Sequence, residues 1–251
     1  MHTIDDAVVA EPVTLRRAEG VSNATVNRSV MEPLRAILIR AREMWKQPVQ
    51  HIKWKKHRLK EPQERVREAS RDEETALRTA MRSDYEPPLH FAFLTGCRRA
   101  EFVGLTWDKV DFFNLEFTVT GKGDRTRTIP MTREIHDLLW SLRDNHKTAV
   151  FTYVAQRSRD GRLAGQRYPI TIAGFQTEWR RKRARTCVID FRLQDTRHTA
   201  ATRLMRTTGN LKAVQQLLGH ADIGTTVRYA HGTKEDLRAG MEAASPTRIP
   251  A

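Results

Sequence analysis

Between Leu115 and Met131 the spacing of apolar residues changes from a helical period to alternation, and that change limits the folds open to the chain. In "LEFTVT" (115–120) and "RTRTIPM" (125–131) apolar residues recur at every second position, the pattern of a half-buried strand. The glycine-bearing "GKGD" (121–124) supplies a turn, so the spacing predicts one antiparallel hairpin. Most of the remaining pattern is helical. "TVNRSVMEPLRAILIRAREMW" (25–45) sets Leu34, Ile37, Leu38, Ala41 and Trp45 on one face, with arginines opposite. Ser70 and Glu73 form a capping box before the next helix. "PPLHFAFLTGCRRAEFVGLTW" (87–107) reads as a buried helix, a break at Gly96 and a second helix. "REIHDLLWSLRD", "GFQTEWRRKRART", "TRHTAATRLMRTTG" and "NLKAVQQLLG" are further helices, Gly209 closing the third and Asn210 capping the fourth. Residues 151–170 read as loop with short extended segments, and a last short helix carries Tyr229. The expected fold class is mainly α with a small antiparallel β-sheet (α+β).

At 251 residues the chain can form one large domain or two modest ones. Lysine and arginine number 44 against 30 acidic residues, a formal net charge of +14. Such a surplus favours a polyanionic partner, nucleic acid first and an acidic membrane surface second. The membrane reading is the weaker one: no apolar run approaches the roughly 18 residues of a spanning helix. The N-terminus "MHTIDDAVVAEP" lacks the basic and apolar regions of a signal peptide. Cys97 and Cys187 are the only cysteines and form no CxxC pair. That suits a reducing cytosol and argues against a zinc site or disulfide framework.

Three widely separated stretches carry residues suited to phosphoryl chemistry: "TGCRRAE" with Arg98 and Glu101, "TGKGDRTRTIP" with Lys122, and "DTRHTAATRLM…LLGHADIGTTVRYAH" with Arg197, His220 and Tyr229. Taken singly, each has a plain explanation: a solvated arginine, a turn lysine, a histidine beside a helix cap, a core tyrosine. Taken together they suit one reaction. Two arginines can clamp the non-bridging oxygens of a phosphate with planar paired donors. Fixed donors there oppose the charge that gathers in the transition state. A lysine can protonate a leaving alkoxide, a histidine can add a hydrogen bond, and a tyrosine hydroxyl can attack phosphorus. No carboxylate pair suggests a two-metal site, so neither metal nor cofactor is expected.

These strings resemble the boxes of the tyrosine recombinases of the phage integrase family. The resemblance runs from about Thr25 to Tyr229 and is dense from Phe93 onward. It implies the catalytic-domain fold of that family over 63–243, preceded by a partial helical core-binding region and basic linker over 25–62. Residues 1–24 carry little periodicity and read as partly disordered, and 244–251 form a tail. By the same resemblance Arg98 and Arg197 match the two catalytic arginines, Lys122 the catalytic lysine, His220 the second histidine position and Tyr229 the nucleophile. Glu101 matches the acidic residue that braces the site, and His198 lies close to it. The implied reaction is site-specific strand exchange on double-stranded DNA through a 3′-phosphotyrosine, without metal or ATP. A homotetramer on DNA with exchanged C-terminal segments is implied too, as is a cytoplasmic location in a bacterial or phage setting. Arg180, Arg181, Lys182, Arg183 and Arg185 of "RRKRAR", with Arg125 and Arg127 of the hairpin, are expected as DNA contacts, each making binding more salt-sensitive.

The chain departs from the family pattern in two ways. The second-arginine box usually opens with a histidine, and Gln194 stands there; glutamine can donate to a phosphate but cannot exchange a proton near neutral pH. The earlier helices of a core-binding domain are expected to be missing. Two alternatives therefore stay open: a non-catalytic, truncated DNA-binding remnant of a prophage, and DNA relaxation of the type IB topoisomerase kind. The segment beyond Tyr229 is expected to form one short helix.

Overall fold

The computed structural model describes residues 4–62, 65–121, 123–230, 238 and 241–242. The chain forms two compact units, Met1–Arg65 and Val66–Ala251.

The smaller unit begins with α1 (Asp6–Ala18), in the stretch read as lacking periodicity. Its start was nevertheless written in the sequence: the Asp5 carboxylate caps the helix by accepting from Val8 N, and Val9 and Val13 face inward one turn apart. Pro12 lies inside this helix and helps to mask the pattern. The single helix expected over 25–45 is divided into α2 (Asn23–Val26), a π-helical turn (Asn27–Met31) and α3 (Glu32–Glu43). A π turn holds extra residues and rotates the helix beyond it. Leu38 and Ala41 are buried as expected, whereas Ile37 and Trp45 stay half exposed. Asn27 is fully buried in the turn. Its amide donates to Leu59 O and Glu61 Oε1 and its Oδ1 accepts from Leu59 N, which fastens the basic connector to the helix. That connector contains the short helix α4 (Trp54–His57).

The larger unit opens with α5 (Arg71–Ala80), started by the Ser70–Glu73 capping box. Then come α6 (Glu86–Thr95), buried on nearly all sides, and α7 (Arg99–Val103). The hairpin forms as β2 (Glu116–Thr120) and β3 (Thr126–Pro130), and β1 (Val110–Asp111) adds a third antiparallel strand in the order β1-β2-β3. The register pairs Phe117 with Ile129 and Val119 with Arg127. Helix α8 (Arg133–Leu142) comes next, then the small ribbon β4 (Thr152–Val154) and β5 (Arg167–Pro169). Helices α9 (Ile172–Arg183), α10 (Gln194–Thr208) and α11 (Leu211–Leu218) lead to a 3-10 turn, Val227–Tyr229. The architecture is mainly helical with small antiparallel sheets. Phe91 anchors the core, its ring 5.0 Å from Phe117 and 5.3 Å from Phe151, so α6 is held against the sheet. Among the described residues no helix is long and apolar enough to cross a membrane.

Candidate active site

The site is built where two helices end. Helices α6 and α11 both stop at glycines in the left-handed region, Gly96 (φ +63°) and Gly219 (φ +64°). Space is tight at both positions as well. A Cβ on Gly96 would lie 3.2 Å from Ala200 Cβ and Leu218 Cδ2, and one on Gly219 would lie 2.7 Å from Arg127 Cδ. Arg197, in the first turn of α10 and 2% exposed, joins the two ends. Its Nη1 donates to Gly96 O at 2.7 Å and its Nη2 to Leu218 O at 2.5 Å. Carbonyls at a helix C-terminus lack intrahelical partners and form the negative end of the dipole, so a guanidinium suits both. Burial, then the charge of Arg98, lowers the Arg197 pKa to about 10, which leaves it cationic at neutral pH.

Glu101 is the second hub. Its side chain, 1% exposed, accepts from Arg98 N at 2.7 Å and from Arg98 Nη1 at 3.0 Å. Arg127 adds a paired contact, Nη1 to Oε1 at 3.0 Å and Nη2 to Oε2 at 2.8 Å. Burial opposes ionisation, but the hydrogen bonds from Arg127 and Arg98 outweigh it and hold the carboxyl below its ordinary range. Arg98 is left with its side chain 40% exposed, a cation braced from behind. Arg127 requires a correction. Expected as a DNA contact, it is committed to Glu101 and, through Nε, to Leu217 O at 2.8 Å. The alternation of β3 carried the signal: Arg127 shares the inward face with Ile129 and sits opposite buried Val119.

Tyr229 is buried, and its hydroxyl lies 2.8 Å from His198 Nδ1. His220 follows Gly219, with its Nδ1 2.9 Å from Thr226 Oγ1. Thr226, fully buried, went unrecognised in the sequence, where nothing separates it from Thr225. Burial, then the charges of Arg197 and Arg98, lower the His220 pKa to about 4. The unfolded chain therefore takes up this proton at higher pH than the fold does. The stabilisation is complete above the ordinary value of 6.5 and is lost as pH falls from there to about 4. Denaturant unfolding across that window is expected to show stability falling with acid, and His220→Gln is expected to flatten the slope.

Gln194 is exposed at the start of α10 and shares with Arg98, Arg99 and Gln176 the wall of a cavity of about 460 Å³. Thus Arg98, Arg197, His220 and Tyr229 are drawn together around the ends of α6 and α11, with Glu101 and His198 supporting them. Lys122 lies outside the described residues. Arg180 and Arg181 of α9, and Arg185 just beyond its end, are exposed, whereas Arg183 donates to Phe191 O and Lys182 lies 3.7 Å from Glu178. Arg125 is exposed in the hairpin. Among the described residues no group of three or more histidines, cysteines or acidic residues is placed to hold a metal ion.

Residues 64–236 match the phage integrase family. The chain is 29% identical over 171 residues to tyrosine recombinase XerC of Alcanivorax borkumensis, covering 63% of this chain and 51% of that protein. It is 31% identical over 165 residues to tyrosine recombinase XerD of Lacticaseibacillus casei, covering 61% and 52%. The chain thus spans about half the length of the curated relatives it matches. Among solved structures it is similar to the Tn1549 transposon integrase in complex with a circular intermediate DNA. The TM-score is 0.72 at 20% identity, covering 98% of this chain and 87% of that one. A lambda integrase dimer bound to a COC′ core site gives a TM-score of 0.68 at 15% identity, covering 92% and 65%.

Proposed function

This chain belongs to the phage integrase family, the tyrosine recombinases, and from that membership we propose that it exchanges strands of double-stranded DNA at specific sites through Tyr229. The observation that carries the reading is the convergence of Arg98, Arg197, His220 and Tyr229 from distant parts of the sequence onto two helix ends. In this reading Arg98 and the remaining N–H groups of Arg197 hold the non-bridging oxygens of the scissile phosphate. His220, kept neutral, donates a hydrogen bond. The Tyr229 oxygen bonds to phosphorus as the bond to the 5′-oxygen breaks, and Lys122 gives that oxygen a proton. Attack by a 5′-hydroxyl on the 3′-phosphotyrosine reverses these steps and joins the strands. The number of phosphoester bonds is conserved throughout, so the exchange needs no ATP, and the arginines take the charge-neutralising role that a metal ion would otherwise fill.

Arg180, Arg181 and Arg185 supply phosphate contacts in this reading, and the smaller unit is taken as the remaining core-binding region. A groove of about 1030 Å³, walled by residues of α6, β3, α8, α10 and α11 and reaching His220, is the seat for a C-terminal segment exchanged within a tetramer. A second reading, DNA binding without cleavage, draws on Gln194, which puts a non-titrating amide where the family's box opens with histidine.

Nicked duplexes, quenched with SDS, separate the two readings. Wild type is expected to yield a protein–DNA adduct that Tyr229→Phe does not form, with DNA binding equal in both. Gln194→His is expected to raise the yield. An adduct only with Gln194→His would favour the second reading, and no adduct in any protein that still binds DNA would sink the first.

A further inference from the structure

We propose that His198 is the proton acceptor for the Tyr229 nucleophile. The inference rests on the recombinase reading and supplies what that reading leaves open, namely where the phenolic proton goes.

The phenol oxygen lies 2.8 Å from His198 Nδ1, within the reach needed for proton transfer. The rings are tilted 42° with centroids 5.7 Å apart, so the contact runs through the nitrogen rather than through stacking. Both residues are buried, His198 to 5% exposure and Tyr229 to 6%, which leaves bulk water poorly placed to take the proton. The other candidate acceptors are weaker. Gln194 has no proton affinity near neutral pH. His220 engages Thr226 through Nδ1 and is a poor base in its cationic surroundings. His198 is held firmly: it follows Arg197 on α10, and the next residue, Thr199, accepts from Ala69 N at 2.9 Å.

Arg197, on the same helix, interacts electrostatically with Tyr229. The charged groups around Arg197 and the nearby His220 are mostly cations: Arg98 at the N-cap of α7, Arg127 on β3 and Arg228 beside the tyrosine, with Glu101 the counter-charge. On the other elements packed against α10, His90 of α6 is bound to Glu134, and Glu68 and Glu74 are paired with Arg203 and Arg206. These cations favour phenolate and disfavour imidazolium. The incoming phosphate supplies the negative charge that makes the imidazolium tolerable. As the Tyr229 O–P bond forms, the phenolic proton passes to Nδ1, while the P–O5′ bond breaks and O5′ takes a proton from Lys122. In the joining step the imidazolium returns its proton to the tyrosine oxygen.

His198→Asn is the direct test, because the Asn Oδ1 keeps a hydrogen-bond acceptor near the Nδ1 position but takes no proton. Adduct formation on nicked duplexes is expected to fall about a hundredfold or more, with DNA binding unchanged. The rate should then climb with pH where wild type levels off. Tyr229→fluorotyrosine, whose phenol ionises more readily, should restore part of the lost rate, which it would not do for a purely structural defect. A 5′-bridging sulfur substrate, whose leaving group needs no proton, should leave the defect in place. The proposal is overturned if His198→Asn cleaves as wild type does, if it cleaves faster, as release of a latch would give, or if the bridging sulfur abolishes the defect. Should this variant fold poorly, the wild-type pH profile decides: fluorotyrosine must leave the acid limb unshifted, and a shifted limb assigns it to the phenol. Absence of an adduct in wild type would overturn the recombinase reading and this inference with it.

Discussion

Glu101→Gln is expected to destabilise the larger unit by roughly 3–5 kcal/mol, the range for breaking a buried ion pair by removing one partner. The carboxylate is the buried counter-charge to Arg98 and Arg127, accepting four hydrogen bonds from them. Glutamine matches its shape but turns an NH₂ group toward guanidinium N–H donors, so one side of the pairing becomes repulsive. Arg127, with 12% of its side chain exposed, then has little water to fall back on. The pH dependence stems from the lowered carboxyl. Its stabilisation is complete above the ordinary value of 4.5 and is lost as the pH falls below that, through the folded-state pKa. Urea unfolding should therefore show a large loss in Glu101→Gln at neutral pH that narrows in acid. A neutral-pH loss under about 1 kcal/mol would fall within the range of exposed pairs and remove Glu101 as the brace.

Arg197→Lys is expected to reduce adduct formation by at least about a hundredfold, the scale for losing an aligned donor to a developing charge, while retaining most of the fold. Arginine reaches Gly96 O and Leu218 O with different nitrogens of one planar fork and keeps further N–H groups for a phosphate. A lysine ammonium carries the charge on a single nitrogen. It cannot reproduce that fork, so the junction of α6 and α11 loosens and the phosphate loses its paired donors. Adduct yield on nicked DNA, compared with the unfolding midpoint, separates the two losses. Wild-type yield from Arg197→Lys would show that the arginine only ties helices together.

Much of this was legible in the sequence. The hairpin followed from alternation, the break at Gly96 and the stops at Gly209 and Gly219 from glycine placement, and the start of α5 from a capping box. These signals are local, and local geometry answers to them. The site residues were legible as types and spacings, but their partners were not. That Arg197 would tie two helix ends, or that His198 would meet Tyr229 31 residues later, depends on how α10 packs against α11 and the turn beyond it. Arg127 was misread because a cation beside a turn usually faces solvent. Its place on the inward face outweighed that expectation once Glu101 was there to receive it. In the smaller unit, Pro12 and the π turn at Asn27 broke the helical pattern that would have revealed α1 and the true face of α3.

The central claim is that Tyr229 carries the DNA during strand exchange, and mapping the covalent link tests it most directly. Wild-type protein is trapped on nicked duplex, denatured and digested with protease, and the peptide bearing nucleotide is identified by mass. The prediction is a peptide containing Tyr229 joined to a 3′-phosphate, with a free 5′-hydroxyl on the released strand. A link to another residue, a link to a 5′-phosphate, or no nucleotide on any peptide of a protein that binds the same DNA would contradict it.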